Sequence, residues 1–364
     1  MVEYKNVKKK NLLFFTRTMG LGGTEKVIIQ LCSNLKDKFN KIVVCSCGGI
    51  YEQKLKDMGI IHYKINDIEK KSFVNIVKNT FVLMRIIKEE KIDIIHTHHR
   101  MAAFYIAIIN KKKKMKFIHT AHNIFEDKKI LTCFALKNAT VVAVGKEVKN
   151  NLVEFYKINQ NQIKIIYNAI KGYNKEIKIE DKILRWKEKG YVTVGNIGRL
   201  SQQKGMKYYI DSINLAKSHN LKVKFFIIGD GEDRSKIENK IRELGLSDEV
   251  FLLGYREDIQ NIMKQLDFIV LSSLWEGFPL TPIEAFSVSK PVIATNIPGT
   301  NEIVIDDFNG ILVKAKDSKE LYEAIEYLYN NTEKMKEYSM NAYKTYIEKF
   351  SYDQFVDKYL MLYN

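Results

Sequence analysis

Short, continuously apolar runs recur along this chain, separated by longer segments whose apolar residues fall at helical spacing. The runs predict strands over residues 11–16, 41–46, 92–96, 116–120, 140–144 and 164–167, then over 191–196, 222–228, 250–253, 268–271, 291–295 and 310–313. The helical spacing predicts helices over residues 24–36, 73–90, 206–218 and 233–244. Strands that are apolar throughout are covered on both faces. Strands that take turns with helices build parallel sheets with helices packed on each side. The expected fold class is therefore α/β.

The pattern also repeats. Each half opens with a strand, a glycine-bearing turn and a helix: Leu12-Leu13-Phe14-Phe15-Thr16 before Gly20-Leu21-Gly22-Gly23-Thr24, and Val192-Thr193-Val194-Gly195 before Gly198-Arg199-Leu200 and Lys204-Gly205. The polar stretch 171–189 between the halves reads as a linker plus an entering helix. Two doubly wound domains follow, with ligands expected at the carboxyl ends of the strands and in the cleft between the domains. Neither turn completes Gly-x-Gly-x-x-Gly, which argues against a nicotinamide-dependent dehydrogenase. Residues 338–363 read as further helices, with Tyr346, Phe350, Phe355, Tyr359 and Leu360 at helical spacing.

Composition narrows the class. Of 364 residues, 46% are hydrophobic and 11% aromatic, which excludes a disordered chain. Lys8-Lys9-Lys10 precedes an apolar run too short for a signal-peptide core, and no stretch approaches the ~18 apolar residues that span a membrane. The four cysteines are too few for a disulfide scaffold and read as reduced thiols; Cys45-x-Cys47 lacks the second pair a zinc site needs. The charge is lopsided: residues 1–170 hold 31 basic against 14 acidic residues, and the rest 28 against 29. Such a half suits an anionic partner, either nucleic acid or an acidic membrane surface. Its densest point, residues 111–114 with Lys116, is either a solvated turn or a basic surface beside the apolar Phe104-Tyr105-Ile106-Ala107-Ile108-Ile109. No helix-turn-helix, zinc module or aromatic RNA-binding motif accompanies the charge. An anionic membrane is the expected partner, and nucleic acid is not.

The most informative segment is Trp275-Glu276-Gly277-Phe278-Pro279-Leu280-Thr281-Pro282-Ile283-Glu284-Ala285, directly after a predicted strand. Thr281 suits an N-cap, Pro282 the first helical position and Glu284 the third, so a capping box is expected. A glycine loop entering a helix also offers free amides to a phosphate. Two carboxylates flanking such an anion site suit hydroxyl donors. A sugar and a ribose joined by a diphosphate satisfy all three features. Arg199 and Lys204, in the loop after residues 191–196, read either as solvated cations or as the counter-charge, and their position favours the counter-charge.

Glu276-x7-Glu284, Gly198-Arg199-x4-Lys204-Gly205, Gly229-Asp230-Gly231 and Gly20-x-Gly22-Gly23-x-Glu25 together give the chain its likeness. Over essentially its whole length it resembles the retaining glycosyltransferases of family 4, of the bacterial surface-polysaccharide type. The resemblance implies the GT-B fold, two Rossmann-like doubly wound domains facing across a cleft. Residues 1–170 would bind the acceptor and residues 171–349 the nucleotide-sugar donor. A C-terminal helix over about 350–364 would pack back on the first domain. Glu276 would face the donor sugar hydroxyls and Glu284 the ribose. Arg199 and Lys204, on the turn opened by Gly198, would hold the diphosphate as it leaves. The backbone amides of Gly277, Phe278 and Leu280 would contribute there, with Pro279 in the same donor-binding loop. Gly22 and Gly23 would bring the first domain's loop close to phosphate and acceptor, while Gly229, Tyr255 and Arg256 would border the base.

His96, His98, His99, His119 and His122 cluster in one stretch without a credible carboxylate partner for a metal. The resemblance implies an active-site histidine after the strand 116–120, and His122 fits better than His119 because it lies further past the strand end. Asn168 stands where the family carries Asn-Gly, with Ala169 departing from the pattern. The reaction implied is transfer of a hexosyl or N-acetylhexosaminyl group, with retention, from a nucleotide sugar to a hydroxyl acceptor. UDP is the expected carrier and a lipid-linked glycan the expected acceptor. No metal or other cofactor is expected, and the departing phosphate would take the acceptor's proton. The implied location is cytoplasmic, peripheral at the inner face of the membrane. The alternatives are a nucleotide-sugar epimerase of the same fold and a basic nucleic-acid-binding protein.

Overall fold

The computed structural model describes residues 9–70, 72–111 and 114–364, so Lys8, Lys112 and Lys113 of the basic runs lie outside the described residues. The chain divides into two compact units, one running to Tyr167 and taking in Phe355–Asn364, the other Asn168–Gln354.

The first unit holds seven strands: β1 Asn11–Phe15, β2 Lys41–Ser46, β3 Ile61–Lys64, β4 Ile94–Thr97, β5 Lys116–Ala121, β6 Thr140–Ala143 and β7 Ile163–Ile165. All pair in parallel, in the order β3-β2-β1-β4-β5-β6-β7. Leu12 sits opposite Ile42 on one side and Ile94 on the other, so β1 is the strand at which the winding reverses. Its Leu12, Leu13, Phe14 and Phe15 have no exposed surface, as its unbroken apolar sequence requires.

The last helix, Tyr352–Tyr363, delivers Phe355, Tyr359 and Tyr363 to the core of this unit. Tyr363 Oη lies 2.7 Å from His96 Nδ1, and His96 Nε2 lies 2.7 Å from Thr120 Oγ1. Tyr359 Oη reaches the same threonine hydroxyl at 3.1 Å. The buried imidazole of His96 thus has both nitrogens partnered. Tyr363→Phe leaves Nδ1 buried without its partner, at an expected cost of about 1–3 kcal/mol. The check is a lower urea midpoint with an unchanged slope; an unmoved midpoint would show that the bond contributes nothing.

The second unit holds β8 Val192–Ile197, β9 Val223–Ile228, β10 Val250–Gly254, β11 Phe268–Leu271, β12 Val292–Thr295 and β13 Gly310–Val313. They too are parallel, in the order β10-β9-β8-β11-β12-β13. Val194, Phe225, Phe268 and Val270 pack with Tyr209, Ile210 and Ile213 from the helix Met206–Ser218. Here the winding reverses between β8 and β11. Loops leaving two such strands diverge to opposite faces and open a crevice at their carboxyl ends.

Candidate active site

The loops after β8 and β11 carry the two charges that the sequence singles out. Lys204 closes a short 3-10 turn, Gln202–Lys204, before the helix Met206–Ser218. Its Nζ lies 2.6 Å from Glu276 Oε1, with side-chain exposures of only 15% and 9%. Ser273 Oγ donates to the same carboxylate oxygen at 2.7 Å. Gln203 Nε2 donates to the Trp275 carbonyl at 2.9 Å and to Glu276 Oε2 at 3.4 Å. Two further bonds lace the loops together: Leu274 N to the Gln203 carbonyl, 2.7 Å, and Ser272 Oγ to the Lys204 carbonyl, 2.8 Å. A buried pair of charges is tolerable only when its remaining valences are met in this way. The Lys204 stem runs past Gly198, where a Cβ would come 3.1 Å from Lys204 Cε.

After Glu276 the chain runs through a buried stretch, Gly277, Phe278, Pro279 and Leu280, into the helix Leu280–Phe286. The expected capping box is not formed. The helix begins at Leu280, with extended Pro279 as its N-cap and no side-chain capping bond. Leu280 is pulled into the first turn by its own burial. Pro282 then occupies the third helical position, still within the turn whose amides lack intrahelical partners. Glu284 lies buried in this helix. Asn168 Nδ2 donates to the Phe278 carbonyl at 3.3 Å. Gly299, at φ +82°, backs against the same loop: a Cβ there would lie 2.2 Å from the Gly277 carbonyl oxygen. Ser273, Gln203 and Gly299 escape a reading of the sequence, because serine, glutamine and glycine in loops carry no distinctive spacing.

The other expected residues are less tightly gathered. Arg199 is 70% exposed and pairs with Glu232 at 3.1 Å. Gly229, at φ +143°, leaves room for the Gly198 carbonyl, which a Cβ would meet at 1.9 Å. Its amide bonds to the Gly254 carbonyl at 2.8 Å, which brings the β10 end beside it. Tyr255 is half exposed. Arg256 is committed to Glu180 at 2.6 Å and to Asp258 at 2.8 Å, and these carboxylates push its pKa further up.

Gly22, Gly23 and His122 belong to the first unit. Gly22 caps the helix Gly23–Leu35 at the end of the β1 loop, with no side-chain capping bond. His122 follows β5, and its Nε2 lies 2.9 Å from His98 Nδ1, so the two rings share one hydrogen. His98 Nε2 is buried and makes no hydrogen bond. Burial drives the His122 pKa down to about 3. His119 is a core residue bonded to Thr97 Oγ1 at 2.9 Å. All four cysteines are free thiols. Among the described residues no group of three His, Cys, Asp or Glu side chains is disposed to hold a metal ion.

Two doubly wound sheets in one chain, with a buried Lys204–Glu276 pair at the reversal of the second, define the architecture of a GT-B protein. Residues 21–171 match the family model Glycosyltransferase Family 4, and residues 176–345 match Glycosyl transferases group 1. The chain is 31% identical over 349 residues to an uncharacterized glycosyltransferase of Methanocaldococcus jannaschii, covering 92% of each. It is 29% identical over 327 residues, 84% of each, to the UDP-Gal:alpha-D-GlcNAc-diphosphoundecaprenol alpha-1,3-galactosyltransferase of Escherichia coli. The crystal structure of Anabaena HepE in complex with UDP superposes with a TM-score of 0.83 at 20% identity, covering 97% of this chain and 99% of that one, a likeness of fold. The chain belongs to the glycosyltransferases, with a family 4 domain followed by a group 1 domain.

Proposed function

We propose that this glycosyltransferase moves a sugar from a nucleotide sugar, with UDP as carrier, to a hydroxyl of a lipid-linked glycan, and that it retains the anomeric configuration. The observation that carries the reading is the buried Lys204–Glu276 couple at the β8–β11 reversal. A cation and a carboxylate side by side suit a diphosphate joined to a hydroxyl-rich ring. In this reading Lys204 turns to the diphosphate and Glu276 to the sugar hydroxyls, while Glu284 takes the ribose. Arg199 exchanges Glu232 for phosphate at little cost, since exposed pairs contribute about 0–1 kcal/mol. Gly229, Tyr255 and Arg256 border the base, with Arg256 held in place by Glu180 and Asp258.

The bond from the anomeric carbon to the diphosphate oxygen breaks, and the acceptor oxygen bonds to that carbon on the same face. The acceptor's proton passes to the leaving phosphate. Preorganised cations stabilise the charge that develops there, so neither a metal nor another cofactor takes part. His122 acts on the donor sugar, and its depressed pKa keeps it neutral at physiological pH. The Escherichia coli relative's name supports a UDP-sugar donor and a diphosphoundecaprenol-linked acceptor, and the bound UDP of HepE supports the carrier. Such an acceptor sets the protein in the cytoplasm, against the inner face of an anionic membrane, in assembly of a surface polysaccharide.

The test is a thermal-shift panel of UDP, GDP, ADP and NAD in EDTA. A ligand at 100 times its dissociation constant adds about 2.7 kcal/mol, a rise of a few degrees. A rise with UDP is expected. No rise with any nucleotide would remove the donor assignment from Lys204 and Glu276.

A further inference from the structure

One helix of the first unit buries a mixed face and leaves an apolar stripe exposed. The helix Phe73–Glu89 turns Asn75, Asn79, Leu83 and Ile86 inward. The two asparagines are bonded beneath it: Asn75 Nδ2 donates to the carbonyls of Asp67 and Lys70, and Asn79 Nδ2 to that of Asn66. Outward stand Phe73 at 80% exposure, Phe81 at 68%, Val74 at 60% and Met84 at 50%. An ordinary surface helix buries its apolar stripe and exposes the polar one. Contiguous apolar surface on the outside marks an interaction site.

Basic residues are interleaved with that surface. Lys78 and Lys88 fall in the same arc of about 140° as the four apolar side chains, at 100° per residue. Glu89 is the sole acidic residue in the helix sequence, and Arg85 pairs with it at 3.8 Å. A cavity of about 580 Å³, lined in part by Val77, Lys78 and Phe81, opens beside the helix. The apolar run 104–109 near the lysine cluster offers no comparable face, since Tyr105 and Ile106 are wholly buried. No described helix is long and apolar enough to cross a membrane.

We propose that the helix Phe73–Glu89 is the face by which the first unit lies on an anionic bilayer. Its apolar side chains enter the boundary between headgroups and acyl chains, and Lys78 and Lys88 meet the lipid phosphates. This deepens the membrane-linked reading above and rests on it. Charge complementarity singles out the occupant. A second copy docked here about a two-fold axis would set the same lysines against each other, whereas an anionic leaflet neutralises them.

The experiment is flotation of the full chain with phosphatidylglycerol–phosphatidylcholine vesicles and with pure phosphatidylcholine vesicles. The wild type is expected on the anionic vesicles alone, and high salt should release it. Phe73→Ser with Phe81→Ser should weaken binding more than about tenfold, with an unchanged melting midpoint because both rings already face solvent. Lys54→Glu with Lys56→Glu, on the separate helix Glu52–Asp57, should bind nearly as the wild type does. Undiminished binding by the phenylalanine variant would overturn this face and leave the membrane reading standing. An equal loss in the Lys54–Lys56 variant would replace this face with diffuse charge. A wild-type dimer that the phenylalanine substitutions dissociate would make it a face for a second copy. No vesicle binding by the wild type would overturn both readings.

Discussion

Lys204→Ala is expected to lower kcat/KM for sugar transfer by about 10²–10³-fold, the usual cost of deleting one preorganised donor to a developing anion. The loss should fall chiefly on kcat, because the charge on the leaving diphosphate is greatest in the transition state. The same substitution strips a buried carboxylate of its cation. Ser273 and Gln203 still donate to Glu276, but breaking one side of a buried pair costs about 3–5 kcal/mol. Activity and stability should therefore fall together in the single variant and part company in a double one. Lys204→Met with Glu276→Gln keeps the volume of both side chains and removes both charges. Its melting midpoint should return most of the way to wild type while transfer stays lost. A single variant with full turnover would make Lys204 a structural cation and move the chemistry elsewhere.

Strands buried on both faces write themselves into a sequence, because most of their residues must be apolar. That is why the edges of β8, β9 and β11 were legible to within a residue or two. β3 shows the converse. Ile61-His62-Tyr63-Lys64 lies at the sheet edge and none of its residues is fully buried. A strand with one neighbour and open faces has no need of an apolar run. The helix entry at Leu280 shows a second limit. Thr281 and Pro282 carry the local signals of a helix start, yet burial of Leu280 moves the boundary back. The site divides in the same way. Lys204 and Glu276 stand out by charge and by their places in motifs, but their direct pairing requires the β8–β11 reversal, which lies 72 residues apart in sequence. Ser273 and Gly299 act through contacts that only the folded loops create.

Acid should unfold the first unit while carboxylates are still ionised. His96, His98 and His119 are buried, and desolvation holds all three below the ordinary histidine value of 6.5, with His119 at about 3. Their proximity adds to the effect: the His96 and His98 rings lie 4.1 Å apart between centroids, so a charge on one opposes a charge on the next. The folded state thus excludes protons that the unfolded chain accepts below pH 6.5. Stability is full above that pH and falls as the pH drops toward the folded values. At pH 5 the proton excluded from His119 alone costs roughly 2 kcal/mol, a sizeable part of the whole stability of a typical domain, and His96 and His98 add to the loss. His99, held at about 4, and His122 act in the same direction. Depressed carboxylates such as Asp67 and Glu90 begin to lose their contribution only below about pH 5, so the interval from about 5 to 6.5 belongs to the histidines. Both tryptophans, Trp186 and Trp275, and the exposed His219 lie in the second unit. Far-ultraviolet dichroism should therefore begin to fall near pH 5 before tryptophan emission moves. Coincident transitions would show that the two units open together rather than the first alone, and a melting midpoint unchanged between pH 7 and 5 would show that the cluster takes up protons without weakening the fold.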